Sequence, residues 1–537
     1  MTTRKLWIGF IAVMVLSFSV LLYFGKEIYR QAPPVPLKVI TPDGTVLFTG
    51  QNIKDGQNVW QSLGGQEIGT VWGHGAYQAP DWSADWLHKE AIYILNKLAS
   101  QQDGIPYEKL SEERQAYLKI SLQKELRKNT YDPVTGILTV SEIRAEAISS
   151  NSKFYGGLFT NDLSLAGLRD SYSIPENSIK DPARVPLLNS FFFWISWACV
   201  TERPGQAITY TNNWPSEELV GNRPSGSLLL WTGFSVIVLL AGIGLMVWYY
   251  ARRRSDNEET IPSAFPLLKE TQTPSQKATV KYFWIVSALL LVQVIMGVIT
   301  AHYGVEGQAF YGIPLAKLLP YSVSRTWHIQ IAIFWIATSW LATGLYYAPA
   351  ISGVEPKFQK LGVNFLFGAL LVIVLGSLAG QWMGVMQKLG YIQNFWFGHQ
   401  GYEYVDLGRF WQIFLFVGLI IWLLLMGRAI WPALKQKTES KNLLILFLIS
   451  TISFSHHTDC DIARISSFEK RYLIILPGLP TTTANGGTFL VTTLPAPITA
   501  PSPIIDTDGR IIEWSPNHTS LPIIIFVRSI NNSSTYP

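Results

Sequence analysis

The 537-residue chain is 48% hydrophobic and 13% aromatic, and only 15% of it is charged, against about a quarter in an ordinary soluble protein. Its net charge of +5 is too small, and too concentrated in loops, to indicate a nucleic-acid partner. Two cysteines, Cys199 and Cys460, with no CxxC or CxxCH, argue against a disulfide scaffold, a thiolate zinc site and a covalently attached c-type haem, and leave eight histidines as metal-ligand candidates.

The first apolar run, residues 6–24, follows Arg4 and Lys5. It is long enough to cross a bilayer, which takes about 20 helical residues. A cleaved signal peptide is the rival reading. No small-residue cleavage site follows the run, so residues 1–25 are read as a retained anchor. Residues 26–226 carry many charges, turns and at least three helical patterns. One covers 81–99. A second opens at Ser111 and runs to 128. A third opens at Thr139, where Glu142 three residues on gives a capping-box signature. A segment of this length can bury its own core.

Five further apolar runs follow, at 227–250, 282–301, 327–347, 363–385 and 410–426, and a seventh starts at Asn442 and fades near Ser455. Arg252, Arg253 and Arg254 follow the second run. Lys357 and Lys360 follow the fourth, and Arg428, Lys435, Lys437 and Lys441 follow the sixth. These basic loops alternate with loops poorer in Lys and Arg, so the positive-inside rule places them in the cytoplasm. The N-terminus is then cytoplasmic and 26–226 lies outside. The expected fold is mainly α: a polytopic transmembrane bundle of about six spans and a partial seventh over 227–455, with the soluble domain set between the first two spans. Residues 456–537 are rich in Thr, Pro, Ile and Ser with no long apolar run, and no fold is assigned to them.

His328 stands in Arg325-Thr-Trp-His328 at the start of the fourth span. A membrane histidine is costly and points to function. Imidazole ligates haem iron, and Arg325 one turn earlier is placed to meet a haem propionate. A histidine merely hydrogen-bonded at a helix end is an equally weighted reading. His302 and Glu306 close the third span four residues apart, on one face of a continuing helix. Such a pair can pass protons, although an ordinary loop pair is slightly favoured on spacing alone. Glu403 and Asp406 lie at the outer mouth of the sixth span, where carboxylates suit a cation such as calcium; a plain loop is favoured otherwise. His399 is a weaker candidate of the same kind. His74 and His88 are read as surface residues, and His456-His457 as coincidence, since no membrane-helix context surrounds the pair.

At these residues the sequence resembles a quinol-dependent nitric oxide reductase, a single-chain member of the haem–copper oxidase superfamily. The likeness covers about residues 1–450. It is densest at 55–65, at Trp72-Gly-His-Gly75-Ala-Tyr77-Gln-Ala-Pro80, at 203–215, at Ser324-Arg-Thr-Trp-His328 and at Gly401-Tyr-Glu403-Tyr. Two-subunit relatives carry a CxxCH where this chain has Gly65-Gln-Glu-Ile68-Gly69. The resemblance therefore implies a cytochrome-c-like domain without haem and a quinol donor. It implies that His328 is an axial ligand of a low-spin haem b, that Arg325 meets a propionate, and that His302 and Glu306 belong to the quinol side. Gly75, Tyr77 and Glu403 match positions around a calcium. In the intact family a high-spin haem b, a non-haem iron and calcium complete the cofactors, and the substrate is nitric oxide, in denitrification or nitric oxide detoxification. The implied setting is the lipid bilayer of a bacterial inner membrane, with residues 26–226 on the periplasmic side and no nucleic acid; a homodimer is one assembly open to it.

The ligand motifs of the family's later helices are absent after residue 450. The change of character near 453–455 reads as a truncated or frameshifted frame, and the chain alone is then expected to be inactive. The runner-up reading is a non-catalytic, membrane-anchored sensing or binding protein. A terminal oxidase relative is third, disfavoured by the domain between the first two spans.

Overall fold

The computed structural model describes residues 3–73, 78–224, 226–253, 271–309, 312–399, 401, 407–435, 504–505 and 511–512. Residues 1–482 form one unit and 483–537 a second. In the second, the described residues are one short antiparallel pair, β5 (Ile504–Ile505) with β6 (Ile511–Ile512).

The first apolar run forms α1, Thr3–Arg30. An N-terminal domain follows, with strands β1 (Lys38–Ile40) and β2 (Val46–Thr49) and helices α2 (Gly50–Ser62), α3 (Trp82–Asp103) and α4 (Glu112–Arg127). After β3 (Tyr131–Asp132) and β4 (Ile137–Thr139) come α5 (Glu142–Phe159), α6 (Ala166–Ser171) and α7 (Arg184–Val200). The sheet runs β2-β1-β4-β3, with β1 and β4 parallel and the outer pairs antiparallel. Local chemistry sets the helix starts. Asp81 caps α3 through Ser83 N and Ala84 N, and Ser111 caps α4 through Arg114 N. The third start differs from expectation. Thr139 ends β4, Ser141 is the cap, and Glu142 is the first helical residue, so no capping box forms.

No sequence pattern announces α7, yet it is the hub of this domain. It packs against α2, α3 and α5, and every residue from Leu188 to Val200 is buried. A helix apolar on all sides shows no amphipathic period, and its run is too short for a span. Around it sits an aromatic core. Trp82 stacks on Phe192 at 5.5 Å and meets Tyr155, Phe159 and Tyr172 edge-on. Trp86 stacks on Tyr155 at 5.2 Å. Two indole N–H groups find backbone acceptors, Trp72 on Ile195 O at 2.8 Å and Trp194 on Pro34 O at 2.9 Å, the usual arrangement for a buried tryptophan. Those of Trp86 and Trp197 have no partner among the described residues.

The remaining helices are α8 (Gly226–Arg253), α9 (Pro274–Glu306), α10 (Tyr321–Ser352), α11 (Gln359–Val385), the short α12 (Tyr391–Phe397) and α13 (Arg409–Lys435). Among the described residues six helices are long and apolar enough to cross a membrane: α1, α8, α9, α10, α11 and α13. The six expected spans are these six; the seventh run, 442–455, lies outside the described residues. α10 is the central one, with 39% of its most apolar window buried inside the chain against 0% for α1, α8 and α9. Two aromatic donors within the bundle are tied to backbone. Tyr282 Oη donates to Val363 O at 2.7 Å, and Trp422 Nε1 to Leu341 O at 3.1 Å. This is how buried donors are held where water is absent.

A histidine in a glycine notch and a domain latched by a buried ion pair

α10 begins at Tyr321, so His328 lies two turns inside the helix rather than at its start. Its Nδ1 is 2.8 Å from the carbonyl oxygen of Gln293 on α9. With that nitrogen donating its proton to the carbonyl, the lone pair resides on Nε2, the arrangement found in metal-binding imidazoles. The ring lies against Gly297, one turn beyond Gln293. A Cβ there would stand 2.8 Å from His328 Cε1 and 2.9 Å from Nδ1, closer than real Cβ contacts allow. Gln293 is held in turn, because Trp335 Nε1 donates to its side-chain Oε1 at 3.1 Å.

Arg325, one turn before His328, reaches the N-terminal domain. Its Nη1 is 3.0 Å from Glu67 Oε2 and 3.2 Å from Glu67 O. The pair is buried on both sides, with side-chain exposures of 6% and 0%. Glu67 ends a single 3-10 turn, Gly65–Glu67. Gly64 and Gly65 take φ of +115° and +52°, which L side chains rarely adopt. A Cβ at Gly64 would press on Ser322 of α10, and one at Gly65 would overlap the backbone of Gly401. Gln66 N donates to Gly401 O at 3.1 Å. The Gln66 side chain is buried with both amide atoms lacking a hydrogen-bond partner. The turn is thus a plug seated on the bundle. On its other side Trp82 fills the space beside Gly69; a side chain at 69 would overlap the indole.

α9 continues through Glu306, so His302 and Glu306 lie one turn apart on its last two turns, His302 half-buried and Glu306 exposed. His302 is nine residues from Gln293, roughly 13 Å along the axis. Nearby, Tyr303 donates to Leu319 O, and Thr300 Oγ1 is 3.2 Å from Ser324 Oγ of α10. A cleft of about 530 Å³ opens between the domain and the loop after α9, lined among others by Leu63, Ile68, Arg169, Asp170, Lys317 and Met386. Gln308 closes one side, donating to Arg169 O and Ile174 O at 3.3 and 2.9 Å. Neither His302 nor Glu306 lines this cleft.

Gly75, Tyr77, Glu403, Asp406 and His74 lie outside the described residues, as does His456-His457. Among the described residues no three His, Cys, Asp or Glu side chains gather as a metal site. His399 is buried. His88 is half exposed on α3, with Nδ1 2.9 Å from Glu217 Oε2. The Glu217 hydrogen bond raises the pKa of His88, against some loss from burial. Burial pushes Glu217 up, but the His88 contact and the Leu219 N–H outweigh it, so its net shift is downward. Cys199 is buried in α7, and burial pushes its thiol pKa far above the ordinary value.

The donor set fits a haem on this chain's side. His328 presents a fixed imidazole, and the buried Gln66 amide lacks a hydrogen-bond partner among the described residues. Sequence reasoning missed Glu67, Gln293, Gly297 and Trp335. One signal existed: Gln293 is a lone amide within an apolar run, and a polar residue at membrane depth marks function by default.

Residues 36–216 match the family model for the cytochrome c-like domain of the nitric oxide reductase NorB. Residues 277–456 match that described as cytochrome C and quinol oxidase polypeptide I. The first match covers the N-terminal domain from β1 to a few residues short of α8. The second covers the bundle from α9 onward and extends through the seventh apolar run. No curated protein matches the chain.

Proposed function

We infer the function from a membership: this chain belongs, as an N-terminal region, to the nitric oxide reductases of the NorB type. Its class is therefore that of a membrane oxidoreductase of haem–copper oxidase kind, a family with haem cofactors. The finer reading is a quinol-dependent nitric oxide reductase, in which one quinol and two nitric oxide molecules give quinone, nitrous oxide and water. Two electrons and two protons leave the quinol, and both are consumed in forming the water. The observation that carries this reading is His328, with Nδ1 engaged by the Gln293 carbonyl and the ring seated against Gly297.

When bound, a low-spin haem b relays electrons singly from quinol toward the site of nitric oxide reduction. The chain's own residues do the rest of the electron-entry work. His328 would hold the haem iron through Nε2. Arg325, desolvated beside Glu67, supplies positive charge for a propionate. Gln66 offers an amide at the same interface. His302 and Glu306, at the end of α9, take the protons that quinol oxidation releases. Gly75, Tyr77 and Glu403, which lie outside the described residues, are the positions that would surround a calcium. The basic loops keep the N-terminus and the α9 start cytoplasmic, so the N-terminal domain, the His302 end and quinol oxidation lie at the periplasmic side of an inner membrane.

We propose that this chain by itself supports electron entry without nitric oxide turnover. The test is a pyridine haemochrome spectrum of the purified full chain, paired with nitric oxide consumption by an electrode. The expected outcome is b-type haem that is lost in His328→Ala, without nitric oxide turnover. A chain free of haem would favour the membrane-anchored binding protein instead. Turnover at the rate of a complete enzyme would sink the half-enzyme reading.

A further inference from the structure

The imidazole of His328 is oriented by three residues that touch no ligand themselves. Gln293 and Gly297 lie one turn apart on α9, and Trp335 lies two turns after His328 on α10, so Trp335 and His328 share a helix face. The Gln293 backbone carbonyl accepts from His328 Nδ1 at 2.8 Å. Its side-chain Oε1 accepts from Trp335 Nε1 at 3.1 Å. The missing Cβ of Gly297 makes room for the ring, since a methyl there would stand 2.8–2.9 Å from Cε1 and Nδ1. One residue of α9 is thus held at both its backbone and its side chain by α10, on either side of a notch that accepts one planar ring.

Each part has a bland explanation. An amide–indole bond can act simply as polar glue between membrane helices, and glycine can merely allow close packing. The combination is harder to explain that way. A Gln in an apolar helix costs free energy unless satisfied, and Leu at 293 with Phe at 335 would pack the same two helices without polar groups. What the polar pair adds is a fixed position for the carbonyl that selects the Nδ1–H tautomer.

We propose that Gln293, Gly297 and Trp335 are positioning residues that set the tautomer, plane and basicity of His328 as a haem ligand; this rests on the haem-ligand reading given above. A hydrogen bond from Nδ1–H to a carbonyl increases the electron-donating power of the opposite nitrogen and stabilises the oxidised metal. Losing an outer-shell partner typically lowers affinity 10- to 100-fold. Gly297→Ala pushes the ring out of its notch. Trp335→Phe removes the donor that anchors Gln293 while keeping an aromatic ring at that position.

The experiment titrates haem b into the purified full chain in detergent, reading the Soret band, the dissociation constant and the midpoint potential. Gly297→Ala is expected to weaken binding about 10-fold or more, with helical circular dichroism unchanged. Trp335→Phe is expected to raise the midpoint potential, a change that loss of helix packing alone does not require. A second variant makes the test independent of whether Gly297→Ala folds. In His328→Gly, free imidazole restores the ligand spectrum, whereas 1-methylimidazole, which has no N–H for the Gln293 carbonyl, restores it about 10-fold less well. Equal rescue by the two imidazoles, or a Gly297→Ala chain that binds haem as the parent does, overturns the positioning role while leaving His328 as ligand. Unchanged haem affinity in His328→Ala overturns the ligand reading itself, and the positioning role with it.

Discussion

At the scale of single residues, the buried pair Arg325–Glu67 has the largest energetic stake. Two opposite charges at 3.0 Å with almost no exposure contribute little net stability, because desolvation offsets their attraction. Removing one partner is a different matter, since it takes a buried counter-charge away from the other. Glu67→Ala is expected to destabilise the chain by about 3–5 kcal/mol, and Glu67→Ala with Arg325→Leu by clearly less. Thermal unfolding of the two variants in one detergent checks this, and equal losses would show that the pair is not coupled. Half of the pair was visible in the sequence, because Arg325 precedes a membrane histidine. Glu67 was not, since nothing in a Gly-Gly-Gln-Glu loop says which distant helix it meets.

His88 and Glu217 make a milder, titratable pair. The folded-state pKa of His88 is raised by Glu217, so its contribution is complete below the usual 6.5 and fades as pH rises through the higher folded value. That of Glu217 is lowered, so its contribution is present above the usual 4.5 and fades as pH falls through the lower folded value. The pair therefore stabilises most between those two usual values. Because the imidazole is half exposed, screening limits the effect to a few tenths of a kcal/mol, about 1 °C in the unfolding midpoint of a domain this size. The midpoint of the parent chain is expected to fall relative to His88→Ala between pH 6 and 8. Parallel pH curves for the two chains would remove the pair from the account.

At the scale of elements, legibility followed periodicity. α3 and α4 carried caps and amphipathic spacing and were located closely, as were the six long apolar helices. α7 escaped because a helix buried on every side has neither a polar face nor the length of a span. The capping box at Thr139 failed because the strand β4 claimed that residue, and a serine two positions later satisfied the same orphan N–H groups. The element with the most consequence is the turn 64–69. Two glycines, Gly64 and Gly65, lie against the bundle, and Trp82 lies beside Gly69. The indole stacks on Phe192 and is 1% exposed, so Trp82→Ala is expected to cost about 3–5 kcal/mol. Loss of near-ultraviolet circular dichroism at a lower temperature in Trp82→Ala reads this directly, while an unchanged transition would mean that the indole is not part of the core.

At the scale of the whole chain, the plug that seats the N-terminal domain on α10 ties its position to the helix bearing His328, so sidedness decides which end of the bundle the proposed quinol would meet. The positive-inside pattern is a sequence argument, and its force depends on loops read by charge alone. A direct measurement is available because the native thiols are easily managed. Cys199 is fully buried in α7 with its thiol pKa pushed far up, so it does not compete for maleimides, and Cys460→Ser removes the other cysteine. In that background Val134→Cys places a thiol at a site 92% exposed between β3 and β4. A membrane-impermeant maleimide added to intact spheroplasts is expected to label Val134→Cys as fully as it does after lysis. Labelling only after lysis would invert the topology. The His302 end of α9 would then face the cytoplasm, and under the proposed quinol reading the protons would be released on that side.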